Sequence, residues 1–133
     1  MTIAGISAAA QQADTRIIKI SPDLRLTTTI GNRAFSQVTG ENITVVAFIA
    51  VNCPIANTYA PDYAQLQRDL KKQGGNLVLV YSNAGDISEA AEHVRQYGLT
   101  DCSIVLDQDQ VVASAFHASM TPEMYVEIGR AHV

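Results

Sequence analysis

Ile43 to Val51 is an almost unbroken apolar run rich in β-branched residues, the pattern of a strand buried on both faces. Leu77 to Tyr81 repeats it, and Ser103 to Leu106 gives a shorter version. Between these runs the period changes. From Pro54 to Gln73, the residues Tyr59, Tyr63, Leu66 and Leu70 recur at helical spacing with charges between them. Pro61 inside that pattern should kink the helix, and Gly74-Gly75 should end it. After a loop at Asn83-Ala84-Gly85 comes a second helix, with Asp86 and Glu89 at capping-box spacing, ending at Gly98. Asp107-Gln108-Asp109 turns into a third helix around Val111 to Ala118, and Met124 to Val126 begins another strand. Upstream, Ile17, Ile18, Ile20, Leu24, Leu26 and Ile30 among threonines predict one or two short strands, with a turn at Gly31-Asn32. Strands alternating with helices predict βαβ units, hence an α/β domain on a central, mostly parallel sheet.

Composition narrows the function classes. A chain of 133 residues is at most one domain. Its formal charge of −4, without a basic cluster, argues against a nucleic-acid partner. Lys71-Lys72, the one basic pair, closes a helix where cations suit the dipole. No apolar run approaches the roughly 20 residues that a membrane-spanning helix needs. Two cysteines are too few for a disulfide scaffold. The histidines His93, His117 and His132 show no metal-ligand spacing to either cysteine, so neither a metal nor another cofactor is expected.

The two ends read differently from the middle. Residues 1–16 are a leader of small and apolar residues in which Ala8-Ala9-Ala10 resembles a secretory cleavage site. The expectation is a disordered leader or a signal-peptide remnant, and with it an extracytoplasmic, periplasmic location where disulfide chemistry is permitted. Residues 127–133, Glu127 to Val133, can be written in codons as GAG-ATC-GGA-AGA-GCA-CAC-GTC. From ATC onward, and for the two bases before it, this matches a sequencing-library adapter, so the tail is expected to be non-native, with natural sequence stopping near Val126 and no function for Arg130 or His132.

The chemistry centres on Cys53. It stands where the first buried strand runs out and a helix beginning near Pro54 takes over. A thiol there meets the helix's unpaired N–H groups and the positive end of its dipole, which favour the nucleophilic thiolate. The competing reading is a small, packed apolar residue. In parallel sheets, chemistry lies beyond the carboxyl ends of the strands, where Cys53, Asn83 and Asp107 fall. Cys102 precedes its strand and should lie at the opposite edge, roughly 15 Å away across a short strand. A disulfide needs Cα atoms within about 7 Å, so Cys102 is a poor resolving partner for Cys53. Tyr59 and Tyr63 read as core, His117 as a surface histidine, and Asp107 with Asp109 as a turn.

The stretch Phe48-Ile49-Ala50-Val51-Asn52-Cys53 followed by a helix, with Met120-Thr121-Pro122 opening a later strand, resembles a thioredoxin-fold protein. More closely, the chain resembles the redoxin branch (alkyl hydroperoxide reductase and thiol-specific antioxidant superfamily). Asn52-Cys53-Pro54-Ile55-Ala56-Asn57-Thr58-Tyr59-Ala60-Pro61 is similar to its extracytoplasmic bacterial members. The resemblance covers residues 17–126 and implies a thioredoxin-like sandwich, truncated before its last strand and helix. It implies that Cys53 is the nucleophile. Pro122 would be a cis-proline whose turn, with Thr121, binds substrate beside Asn52 and Pro54. Departures from the family pattern limit the activity. Ala56 replaces the second cysteine of a C-x-x-C, and Ala47 replaces the buried acid of thioredoxins. Ala50 replaces the hydroxyl residue of peroxiredoxins, and Asn57 replaces the second cysteine of copper chaperones. The expected function is a monothiol thiol-disulfide redox protein acting on a protein or small-molecule disulfide and resolved by an external thiol reductant. The alternatives are a non-catalytic thioredoxin-like binding module and a one-cysteine peroxidase.

Overall fold

The computed structural model describes residues 20–82, 86–118 and 123–128. The leader 1–16, Asn83 with its loop, and Thr121-Pro122 lie outside the described residues.

Strands β1 (Arg25–Thr28) and β2 (Gly31–Ala34) form a hairpin. A 3₁₀ turn (Phe35–Gln37) then leads to β3 (Ile43–Ile49). Helices α1 (Pro54–Thr58) and α2 (Ala60–Lys72) carry the chain to β4 (Asn76–Tyr81). Helix α3 (Ile87–Gln96), β5 (Ser103–Leu106), α4 (Val111–Phe116) and β6 (Glu123–Ile128) complete the order. The sheet runs β2-β1-β5-β4-β3-β6. The expected α/β architecture is present, but the sheet is mixed rather than mostly parallel. Pairs β3–β4 and β4–β5 are parallel, whereas β1–β2, β1–β5 and β3–β6 are antiparallel. The helical crossovers return β4 and β5 in the direction of β3, while the hairpin on one side and β6 on the other run against them. The β3–β6 ladder runs from Phe48↔Glu123 to Ile43↔Ile128.

The hairpin turn corrects another expectation. It falls at Thr29-Ile30 rather than at Gly31-Asn32, because Thr28 closes it: its Oγ1 donates to the Gly31 carbonyl at 2.6 Å and accepts from the Ile30 amide at 3.1 Å. The Pro54–Gln73 helix is likewise two helices rather than one kinked helix, since Tyr59 leaves helical geometry at the junction. Pro61 then occupies the first turn of α2, where a missing N–H costs nothing. Gly74, in the left-handed region at φ +76°, lets the chain leave α2 and enter β4.

Both faces of the central strands are covered. Val45, Ala47 and Ile49 of β3 pack with Ala60, Tyr63 and Leu70 of α2 and with Ala90 and Val94 of α3. Val46 and Phe48 pack on the other face with Phe35, Val112 and Phe116. Phe116 is the centre of that second layer: its ring lies 6.1 Å from Phe35, 5.6 Å from Phe48 and 5.4 Å from Tyr125. Truncating it removes three aromatic partners at once and leaves a cavity under β3. Phe116→Ala is expected to lower unfolding free energy by about 3–5 kcal/mol, read from the urea midpoint. A loss below about 1 kcal/mol would mean that this layer does not hold α4 to the sheet.

Candidate active site

β3 ends at Ile49, and the chain bends before it can start α1. The Cys53 amide donates back to the Ala50 carbonyl at 3.2 Å, closing a turn over Ala50-Val51-Asn52-Cys53. Cys53 is the N-cap of α1, extended at φ −94° and ψ 108°, with Pro54 at the first helical position. The residue is half-buried and packs against the α2/α3 face of the core. Asn52 and Pro54 flank it and are exposed. Here the structure departs from the dipole argument. The helix behind the thiol has five residues, and the Cys53 side chain closes no capping hydrogen bond to it. So short a helix carries a small dipole, and other groups must set the thiol's environment.

One such group is Tyr63, in the second turn of α2. Its phenol is pushed above the ordinary tyrosine value, by burial first and then by the negative charge that Cys53 would carry, with Tyr59 and Asp62 adding to it. Tyr63 therefore stays a neutral phenol within electrostatic reach of the thiol. Beside it, Tyr59, Asp62, Tyr63, Leu66 and Met124 line an apolar cleft of about 470 Å³. Tyr63 is core, as expected, but Tyr59 is not: it is 47% exposed and forms the outer wall of this cleft. The Tyr59 ring lies 6.4 Å from that of Tyr63, so it stays on the helical stripe but at the exposed end of it.

The second group was missed by sequence reasoning. Asn57 lies one turn beyond Cys53, and its amide donates to the Cys53 carbonyl at 2.9 Å. The Asn57 Nδ2 donates to the carbonyl of Val51 at 3.3 Å. Its Oδ1 lies 2.6 Å from His93 Nε2, and His93 Nδ1 lies 2.8 Å from the hydroxyl of Tyr81. His93 is buried on α3, with the Tyr97 ring 4.6 Å from its own. The signal was present in the spacing: Ala90, His93, Val94 and Tyr97 fall on one face of a helix, which marks His93 as facing the core.

The remaining candidates take structural roles. Asp107, at the carboxyl end of β5, is buried, and its two carboxylate oxygens accept from the amides of Val112 and Ala113 at 3.0 and 2.8 Å. His117 is exposed and caps α4. Cys102 is buried one residue before β5, and burial, helped by Asp101, pushes its thiol up to about 12. In the ladder Ser103 pairs with Val78, near the start of β4, while Tyr81 at its other end pairs with Ile49 on the Cys53 side. The two thiols thus lie at opposite ends of the sheet.

Residues 17–132 match the AhpC/TSA family, and the chain belongs to it. No curated protein matches the chain. Among solved structures it is similar to a secreted Mycobacterium tuberculosis disulfide oxidoreductase homologous to E. coli DsbE, at 20% identity and a TM-score of 0.66, over 77% of this chain and 73% of that one. A putative thiol:disulfide interchange protein DsbE from Chlorobium tepidum aligns at 19% identity and 0.71, over 84% and 77%. An uncharacterized conserved protein from Geobacillus kaustophilus aligns at 23% and 0.76, over 85% of this chain and 64% of that one. These likenesses establish a thioredoxin-like fold. Among the described residues, no helix is long and apolar enough to cross a membrane.

Burial lowers the His93 pKa from the ordinary histidine value of 6.5. Below that value the unfolded chain binds a proton that folded His93 resists, so acid favours unfolding. Stability should therefore fall as pH drops through about 6.5 towards the lower folded value. His93→Gln, which cannot titrate, should flatten the change in urea midpoint between about pH 7 and pH 5. An unaltered slope would assign that titration to another group.

Proposed function

We propose that the protein is a monothiol thiol-disulfide redox protein in which Cys53 is the nucleophile and Asn52, Pro54, Thr121 and Pro122 contact the substrate. The observation that carries this reading is the contrast between the two thiols. Cys53 is half-buried at a strand end beside exposed residues, while Cys102 is buried at the far end with its thiol pushed up to about 12. Membership of the AhpC/TSA family and the disulfide oxidoreductases among proteins of the same fold support it.

The Cys53 thiolate attacks one sulfur of a substrate disulfide. A Cys53–substrate mixed disulfide forms, and the other sulfur leaves as a thiolate that takes up a proton. Ala56 occupies the position of a C-x-x-C partner and is buried, so no second thiol waits there. An external thiol, as thiolate, then attacks the substrate sulfur of the mixed disulfide. A disulfide forms between the external thiol and the substrate half, and Cys53 leaves as a thiolate, reduced. The cleft beside Tyr63 suits an apolar side chain next to the substrate disulfide, with Asp62 at hand for a cationic neighbour. Peroxide chemistry is less well served, since Ala50 offers no hydroxyl three residues before Cys53. An extracytoplasmic location fits this activity, because disulfides persist there.

The test is the pH dependence of Cys53 alkylation, with Cys102 as internal control and oxidised glutathione as a disulfide probe. A Cys53 midpoint well below about 8.5, with one glutathione per chain lost in Cys53→Ser, supports the redox reading. Cys102 should label slowly until the chain unfolds. A Cys53 that labels as slowly as Cys102 and takes up no glutathione would leave a binding module.

A further inference from the structure

The bend that carries Cys53 is tied to the core by a polar chain that runs inward from half-buried Asn57 to buried His93 and Tyr81. The Val51 carbonyl can only accept, so the Asn57 amide nitrogen that reaches it must donate. Asn57 Oδ1 therefore faces His93 and accepts from Nε2–H at 2.6 Å. Burial lowers the His93 pKa, so at neutral pH the second ring nitrogen, Nδ1, keeps its lone pair and accepts from the Tyr81 hydroxyl at 2.8 Å. The network and the burial of the ring together assign His93 a single neutral tautomer. The Tyr81 ring stands edge-on at 5.4 Å and the Tyr97 ring lies tilted at 4.6 Å, so the ring is held in place as well as in protonation. The chain runs from β4 through α3 and α1 to the carbonyl two residues before Cys53.

We propose that His93 is a positioning residue for Cys53: as a neutral Nε2–H donor it holds Asn57 against Val51, and so fixes the strand-to-helix bend from which the thiol projects. This rests on the redox reading of Cys53. The need for such a device follows from α1, whose five residues are too few to hold a fixed orientation alone. A satisfied buried network specifies one geometry where local helix propensity cannot.

The experiment compares Cys53 alkylation by iodoacetamide at neutral pH in the full chain, site by site by mass spectrometry, for the wild type, Asn57→Leu, His93→Leu and His93→Gln. Glutamine can donate to Asn57 and accept from Tyr81, as the neutral ring does. The leucine variants should lose roughly tenfold in rate constant, the scale of a small misplacement of a reacting group, while His93→Gln should stay within about threefold of the wild type. Folded leucine variants that react at the wild-type rate overturn the inference and leave the redox reading standing. A wild-type Cys53 as slow as Cys102 overturns both. Should the leucine variants fail to fold, nitrogen NMR of the wild-type histidines decides. An Nε2–H signature at His93, shifted when glutathione occupies Cys53 while His117 stays put, supports the inference. An Nδ1–H ring, or one indifferent to that modification, overturns it.

Discussion

Strand β3 meets water on neither face, and the position of Cys53 follows from that. Val45, Ala47 and Ile49 are buried under α2 and α3, and Val46 and Phe48 are buried under α4. Both edges of the strand are also taken, by β4 in parallel and β6 in antiparallel pairing. A strand closed on four sides can release the chain only at its ends. At the carboxyl end the backbone must bend at once to start the crossover that brings β4 back in parallel. Ala50 to Cys53 are that bend, so the thiol emerges at the rim of the core without standing in open solvent.

The same constraint explains what could be read in the sequence. An interior strand of a parallel unit must be apolar at every position, and β3 and β4 are therefore visible as continuous runs. Their carboxyl ends marked Cys53, and the placement of Cys102 before β5 marked it as remote. What the runs could not show was the pairing at the margins of the sheet. The β1–β2 hairpin turns at Thr29-Ile30 because of side-chain hydrogen bonds of Thr28, which place the turn just before Gly31 rather than on it. The split between α1 and α2 was half-legible. Pro61 announced an interruption, but the departure of Tyr59 from helical geometry, and with it the opening of the cleft, is a tertiary result. The polar chain was least legible of all, since Asn57, Tyr81 and His93 come from three elements and meet only when the sheet is assembled.

A thiol at a helix N-terminus is usually credited to the helix, and the five residues of α1 give that explanation little to work with. The environment of Cys53 is instead set by the groups that the core presents to it. Tyr63 holds a neutral phenol close by, because burial and the thiol's own charge both oppose its ionisation. His93, neutral because it is buried, acts from behind the bend through Asn57. Neither supplies a positive charge. What these groups contribute to the thiol is a fixed place, and in disulfide exchange a thiolate whose pKa lies near the working pH is the faster attacker.

For the proposed redox function, separation of the two thiols decides what kind of exchange would be open. In a dithiol site the second sulfur resolves the mixed disulfide before an outside thiol can reach it, which shortens the life of the adduct. Here Ala56 removes the near partner and the sheet keeps Cys102 at its far end, buried, with a thiol too weakly acidic to attack. On the proposed function, a mixed disulfide on Cys53 would have no internal exit, and its lifetime would be set by the external thiol and by how firmly the neighbouring surface grips the bound half. The cleft of Tyr59, Tyr63, Leu66 and Met124 supplies apolar area for that grip. If the proposed external thiol does the resolving, selectivity passes from the thiol to the surface beside it.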